Sequence, residues 1–281
     1  IGPGLTAPAG RVIDARGRIL MPGMFDAHVH LREPGFEAKE TIATGSEAAI
    51  NGGITGLVMM PNTKPAIDSA TVVGQVLDKL DQLGIADNTI VFFSSDNGPQ
   101  LGAWADIFVE YFDGNGPFRG AKTNFYEGGI RTPLLVRWPG KIKPASVSEF
   151  VGYFPDVMPT LAEIAGATSH LPEQIDGLSF APTLLGRGDQ KAHDYLYWEQ
   201  AGPNQTINQQ AVRWGNWKAV KNKANDRLEL YDLSQDIGEE HNVAAQHPDV
   251  MQRINAIGRQ AHTPERVYHP GKTQGVNDFV K

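Results

Sequence analysis

Three groups of residues in this chain have the types and spacing to do chemistry. Asp96 and Asn97 follow the β-branched and aromatic run Thr89–Phe93, which is too short for a helix and reads as a buried strand. A carboxylate and an amide carbonyl side by side at the carboxyl end of a strand suit a hard cation, which takes oxygen ligands. Lys122 stands further on in a glycine-punctuated loop and offers a point positive charge for an oxyanion. His28 and His30 lie in Met24–Leu31, which alternates as a strand does, so Asp26, His28 and His30 project to one side. Two imidazoles at that spacing can reach one transition metal. Each signal is weak alone: Asp-Asn-Gly is ordinary turn composition, and an isolated His-x-His is usually coincidence.

The order of the surrounding blocks adds what single motifs lack. SSDNG (Ser94–Gly98), FRGAKTNFYEGGIRTP (Phe118–Pro133), LLVRWPGKI (Leu134–Ile142), FPDVMPTLAEIAGA (Phe154–Ala167) and DGLSFAPTLLG (Asp176–Gly186) follow one another, with VRWGNWKAV and LELYDLSQDIGEEHNVA closing the series. Over residues 74–270 the chain resembles the sulfatase family, the formylglycine-dependent sulfuric ester hydrolases of the alkaline-phosphatase-like superfamily. The resemblance implies that Asp96 and Asn97 bind a divalent ion, usually calcium, and that Lys122 contacts sulfate. It also implies a Cys or Ser nucleophile in a C/S-x-P-x-R motif and a further aspartate pair. These 281 residues hold no cysteine and no Ser-x-Pro-x-Arg, so the usual motif for formylglycine is missing from them. What resembles the family is its carboxyl-terminal portion.

A second resemblance starts earlier. VIDARGRILMPGMFDAHVHLREPG and ETIATGSEAAINGGITGLVMMPNTKPAID make residues 9–72 similar to the amino-terminal part of dihydroorotase, a cyclic amidohydrolase of the TIM-barrel metal-dependent hydrolases. That resemblance implies zinc on His28 and His30, and contacts from Arg32 and Asn62 to a substrate carboxylate. The carboxylated lysine, further histidines and catalytic aspartate of later barrel strands are not matched.

The elements that must position these residues form a series. Met24–Leu31, Thr55–Met60 and Thr89–Phe93 read as strands, and Thr41–Ile50 and Val73–Leu83 as helices, the second with Val76, Leu77, Leu80 and Leu83 on one face and Gly84 as its cap. A βαβαβ series can be laid down as one parallel sheet by right-handed crossovers. His28, His30, Asn62, Asp96 and Asn97 would then share one sheet edge able to hold a divalent metal. Arg11–Leu20 reads as a short strand and turn. Ile107–Phe112 is an unexpected aromatic stretch ahead of the Lys122 loop. Pro133–Trp138 reads as a strand and Asp156–Ala165 as a helix stopped by Gly166. Tyr195–Glu199, Ala211–Val220 and Leu228–Leu233 suggest a small antiparallel sheet, and His247–Ile257 a closing helix. Trp198, Trp214 and Trp217 read as core, His193 and His241 as solvent-facing, and the tail from Thr263 as loose.

The expected fold is α/β, a mixed or parallel sheet with flanking helices plus a small carboxyl-terminal antiparallel sheet. The domain reading is 1–73 dihydroorotase-like, 74–190 sulfatase-like α/β and 191–281 the antiparallel subdomain and tail. No Gly/Ser or Pro-rich linker marks the join near 70–76, the pattern of two fragments in a chimeric gene. A net charge of -7 with no Lys/Arg cluster argues against nucleic acid. No leader and no apolar run of membrane-spanning length is seen. The sulfatase resemblance implies a periplasmic or secreted protein and a small-molecule sulfate ester or anion as partner; the dihydroorotase resemblance implies the cytoplasm. Three function classes follow: a sulfatase portion keeping part of its metal and sulfate site without the nucleophile, a metal-dependent cyclic amidohydrolase, and a non-catalytic metal- or anion-binding chimera.

Overall fold

The computed structural model describes residues 23–100, 111, 113–201, 207–222 and 227–262. The expected strand at Arg11–Leu20, all but Tyr111 of the aromatic stretch Ile107–Phe112, and the tail from Thr263 lie outside them. The chain divides after Thr89 into two compact units.

In the first unit, β1 (Met24–Val29) pairs in parallel with β2 (Ile54–Met59). Helix α1 (Ile42–Asn51) between them starts where its sequence supplies a cap: Thr41 Oγ1 accepts from Thr44 N, and Thr44 Oγ1 accepts from Thr41 N. The first turn is tied down again by Glu33, which accepts from Ile42 N at 2.9 Å and pairs with Lys79 on α2 (Ala70–Gln82) at 3.4 Å. Helix α2 begins at Ser69, whose hydroxyl accepts from Val72 N, and buries Val72 and Leu80. Leu83 is its last capping residue and exposed, and Gly84 takes the left-handed φ of +68° that only glycine adopts without strain. The loops after β1 and β2 interlock, because Lys64 N donates to Pro34 O at 2.9 Å and Gly35 lies where any Cβ would stand 1.8 Å from the Lys64 carbonyl oxygen. The β1–β2 pair leaves Met24, Phe25 and Val58 exposed.

The second unit contains β3 (Val91–Ser94) and β4 (Leu134–Arg137), antiparallel over four matched residues. This corrects the single parallel sheet expected from the βαβαβ pattern. The ladder partner of β3 is β4, and β1–β2 is a separate two-stranded sheet, so β1, β2 and β3 do not belong to one hydrogen-bonded sheet. Further on come the short helix α3 (Glu127–Ile130), α4 (Val157–Ile164) and α5 (Ala181–Leu185). A four-stranded antiparallel meander follows, β5 (Leu196–Ala201), β6 (Ile207–Trp214), β7 (Trp217–Lys221) and β8 (Glu229–Asp232), then α6 (Pro248–Ala261). Ala211–Val220, expected as one strand, is a hairpin. Trp214 pairs with Trp217 across Gly215-Asn216, and Gly215 has φ +59°. A glycine at positive φ opening a two-residue loop matches the twist of the flanking strands.

The meander is covered on both faces, following its period of two. Val212, Ala219 and Leu230 meet Val250, Ile254 and Ile257 of α6, while Ala211, Val220 and Tyr231 meet Tyr126 from the segment before α3. Trp214 and Trp217 pack against the first cluster and Trp198 against the second.

One charged residue passes through this core. Lys218 on β7 has no exposed surface, and its Nζ lies 2.7 Å from Glu127 Oε1 and 3.0 Å from Glu239 Oε1. Glu239 also accepts from Glu127 N at 2.5 Å. Burial pushes the Glu127 carboxyl upward, but Lys218, with Arg213 and Arg131, more than offsets this and holds it below the ordinary carboxylate value. Glu239 ends above that value because its burial outweighs Lys218 and the Glu127 backbone N–H. The signs differ. Glu127 contributes stability that is lost as pH falls through its lowered pKa, whereas Glu239 binds its proton more tightly folded and so favours folding as pH falls.

Removing the cation leaves two buried carboxylates uncompensated. Lys218→Met is expected to cost about 3–5 kcal/mol in urea unfolding at neutral pH. Part of that loss should return as pH is lowered toward 5, since both acids then have folded-state pKa values above their unfolded ones. A variant as stable as the parent at pH 7 would contradict this account.

Candidate functional site

In the second unit the chain leaves β3 at Ser94, whose hydroxyl donates to Pro133 O at 2.8 Å and keeps the strand end against the start of β4. Ser95 Oγ donates to Asn97 O at 2.8 Å, and Asn97 Nδ2 donates to Gly98 O at 2.9 Å. The Asn97 amide nitrogen is thus used in the turn, and its Oδ1 is the oxygen left for a ligand. Asp96 is exposed. Gly98 clamps the turn to α3: its N donates to Gly129 O at 2.9 Å, and a Cβ there would stand 1.7 Å from the Gly128 carbonyl oxygen.

Lys122 is brought to the same place by its backbone, donating from N to Pro99 O at 2.9 Å. Pro99 and Lys122, more than twenty positions apart, therefore meet. Gly120 at φ +84° and Thr123 at φ +81° make the bends on either side, Ala121 is fully buried and the Lys122 side chain is exposed. The loop is anchored on the meander. Arg119 Nη1 donates to Tyr231 OH at 3.0 Å and to Glu239 O at 2.8 Å, and its guanidinium lies 4.0 Å from the Tyr126 ring centroid. Tyr126 and Tyr231 both donate to Glu229 Oε2, at 2.5 and 2.7 Å. Burial and that donation push the Tyr126 hydroxyl up to about 12 and Tyr231 higher still.

Asp96 and Asn97 are of the oxygen type that calcium takes, but two donors fall short of the six to eight it needs. Among the described residues no group of three or more His, Cys, Asp or Glu is placed to hold a metal.

In the first unit the structure brings together His28, His30 and Asn62. His30 Nδ1 lies 2.8 Å from Asn62 Oδ1, and His28 Nε2 lies 3.2 Å from His30 Nε2. His28 N donates to Asp26 Oδ1 at 3.0 Å. Because Asn62 Oδ1 only accepts, His30 donates to it from Nδ1, which leaves Nε2 facing His28 Nε2. Two nitrogens about 3.3 Å apart are what tetrahedral zinc with bonds of about 2.0 Å imposes, so the pair fits that ion as two of its four ligands. Arg32 stands at the head of the interlocked loop with φ +60°, its carbonyl accepting from Phe36 N.

His193 corrects its expected exposure. Its side chain is 8% exposed, and Nε2 lies 2.9 and 3.0 Å from the two oxygens of Asp156, which is fully buried. Nothing local in the sequence marks a pair separated by 37 residues. His241 does face solvent, 78% exposed.

Comparison with known proteins now gives the class. The family model described as N-sulphoglucosamine sulphohydrolase, C-terminal, matches residues 119–261, that described as Sulfatase matches 70–167, and that described as Dihydro-orotase-like matches 17–82. With half its length in the first of these, the chain belongs to the N-sulphoglucosamine sulphohydrolase C-terminal family, and its amino-terminal part resembles dihydroorotase. The N-acetylgalactosamine-6-O-sulfatase of Bacteroides thetaiotaomicron is 34% identical over 66% of this chain and 38% of its own length. A dihydroorotase of Brevibacillus brevis is 55% identical over 26% of this chain and 17% of its own length. A solved structure from a study of glycosaminoglycan metabolism by Bacteroides thetaiotaomicron is 33% identical, covers 68% of this chain and 42% of that one, and superposes with a TM-score of 0.55. The chain thus spans less than half of these relatives. The mixed α/β architecture with a small antiparallel sheet is that of its sulfatase neighbours. No helix among the described residues is long and apolar enough to cross a membrane.

The clamp at Gly98 can be tested directly. Gly98→Ala is expected to destabilise the chain by about 1–3 kcal/mol through overpacking against the Gly128 carbonyl. It should also shift the backbone amide resonances of Asn97 and Gly129, and unchanged resonances would show that the turn is not held this way.

Proposed function

We propose that this chain is the carboxyl-terminal portion of a sulfatase that keeps a cation-binding turn, Asp96 and Asn97, beside a sulfate-binding lysine, Lys122, without a complete hydrolytic centre within these residues. The observation that carries the reading is a pair of backbone bonds: Lys122 N to Pro99 O and Gly98 N to Gly129 O bring the two motifs together. The charge-stabilising half of ester hydrolysis would reside here. Lys122 would position an oxyanion as a point charge, and Asp96 with Asn97 Oδ1 would supply two of the oxygen ligands of a calcium ion, whose chemistry when bound would be charge stabilisation. The attacking group has no candidate in the usual motif, since the chain has no cysteine and no Ser-x-Pro-x-Arg. A small sulfate ester or sulfate itself is the partner this chemistry fits, and the relative named as an N-acetylgalactosamine-6-O-sulfatase makes a sulfated sugar the first to try.

Calcium is expected to raise the melting temperature of the EDTA-treated chain, with the increase lost in Asp96→Ala. Sulfate binding followed by calorimetry should weaken at least tenfold in Lys122→Ala. A melt indifferent to calcium together with unaltered sulfate affinity would overturn the reading.

A second reading concerns the first unit and rests on the His28 and His30 nitrogens 3.2 Å apart, with Asn62 orienting one ring. This pair would bind zinc as an amidohydrolase-type half-site, and Arg32 would lie near it on the following loop for a carboxylate. No turnover of a cyclic amide is assigned to it. Zinc should raise the melt of the parent and leave that of His28→Ala unmoved, a result that calcium cannot mimic.

A further inference from the structure

Asp156 does more than pair with His193. Its Oδ2 accepts from Tyr153 N at 2.9 Å, its Oδ1 accepts from Leu178 N at 2.8 Å, and both oxygens meet His193 Nε2. One buried carboxylate therefore ties together three separate segments. The same segments are fixed again around it: Tyr153 OH donates to Asp176 O at 3.0 Å, Phe180 N donates to Thr160 Oγ1 at 2.9 Å, and Gly177 lies where a Cβ would stand 2.1 Å from the Pro155 carbonyl oxygen. These segments wall an open cavity of about 570 Å³, lined by Tyr153, Asp176, Lys191, His193, Asp194 and Tyr195 among others. That volume falls in the range of about 300–1,000 Å³ usual for small-molecule sites.

The polar groups of the cavity define the ligand. Asp156 only accepts, so His193 donates to it from Nε2, and the other ring nitrogen, Nδ1, has no hydrogen bond among the described residues. Asp176 and Asp194 add carboxylate acceptors, Lys191 adds a donor, and the rings of Tyr153 and Tyr195 add apolar surface. Two carboxylates against one lysine disfavour an anion. A ligand that offers several hydroxyl donors around an apolar ring face matches the whole set.

We propose that this cavity is a binding site for an unsulfated hexose ring, recognised through its hydroxyls by His193 Nδ1, Asp176 and Asp194. Asp156 positions His193 rather than touching the sugar. The site is independent of the cation and sulfate groups proposed at Asp96, Asn97 and Lys122.

The full chain in EDTA at pH 8 would be titrated calorimetrically with D-galactose, D-glucose and D-glucosamine. Saturable binding of at least one sugar is expected, weakened tenfold or more in His193→Phe and in Asp194→Ala. His193→Phe removes a partner from Asp156 and can fail to fold, in which case Asp194→Ala decides, because that residue is exposed. Absence of saturable binding by all three sugars, or equal affinity in every folded variant, would overturn the proposal. Since neither sulfate nor calcium is present, either outcome leaves the reading of the sulfate site untouched.

Discussion

The second unit depends on the placement of the Lys218 ammonium between Glu127 and Glu239. An unpaired charge in that core would be prohibitively costly, so β7, α3 and the loop after β8 must meet in one geometry for all three groups to be satisfied. Pairs of this kind are poor sources of net stability, because desolvation consumes much of the attraction, but they discriminate strongly among packings. Here the discrimination reaches the surface. Fixing Glu127 fixes Gly128 and Gly129; the Gly128 carbonyl and the Gly129 Cα leave no room for a side chain at Gly98, and Gly98 ends the Asp96-Asn97 turn. Arg119, stacked on Tyr126 and bonded to the Glu239 carbonyl, draws the amino-terminal end of the Lys122 loop to the same anchor. The exposed candidate groups are thereby displayed from a buried electrostatic lock some residues away.

The first unit achieves its order by a different route. Among its described residues the buried apolar set is small, Leu31, Ile42, Val72, Leu80 and Ala86, and much of its definition comes from polar ties between loops. Glu33 joins the amino end of α1 to α2, and the backbone of Lys64 locks onto Pro34 and Gly35. Those ties set Asn62 against His30. The interlocked loops, and not the strands alone, bring the imidazoles and the amide together.

Much of this was legible in the sequence where the signal was local. Thr41 before α1, Ser69 before α2 and Gly84 after it mark helix ends by capping chemistry, and the alternation of Met24–Val29 and Leu228–Leu233 marks strands by period. The pairing of strands was not legible, because a parallel βαβαβ layout and a β3–β4 antiparallel pair demand the same short apolar runs. The hairpin hidden in Ala211–Val220 had a signal, Gly215-Asn216 between tryptophans, which the continuous alternation on either side masked. Among candidate site residues, the turn at Asp96 and the strand that carries His28 could be read directly. The link from Lys122 to Pro99 and the Asp156–His193 pair could not, since both join residues more than twenty positions apart.

Helix α2 carries one more implication. Its thirteen residues lie inside both the dihydroorotase-like and the sulfatase matches, and its apolar burial asks for a stripe through Val72, Val76 and Leu80. Two unrelated coding segments can meet inside such an element without either losing its fold, provided the stripe keeps its phase. A shift of one residue would turn the downstream half of the stripe by about 100° about the helix axis and expose Leu80, whereas a shift of seven, nearly two full turns, would keep the stripe's phase to about 20° while lengthening the helix by about 10 Å. An amphipathic helix is in this sense a tolerant splice point, where the permitted junctions recur with the helical repeat.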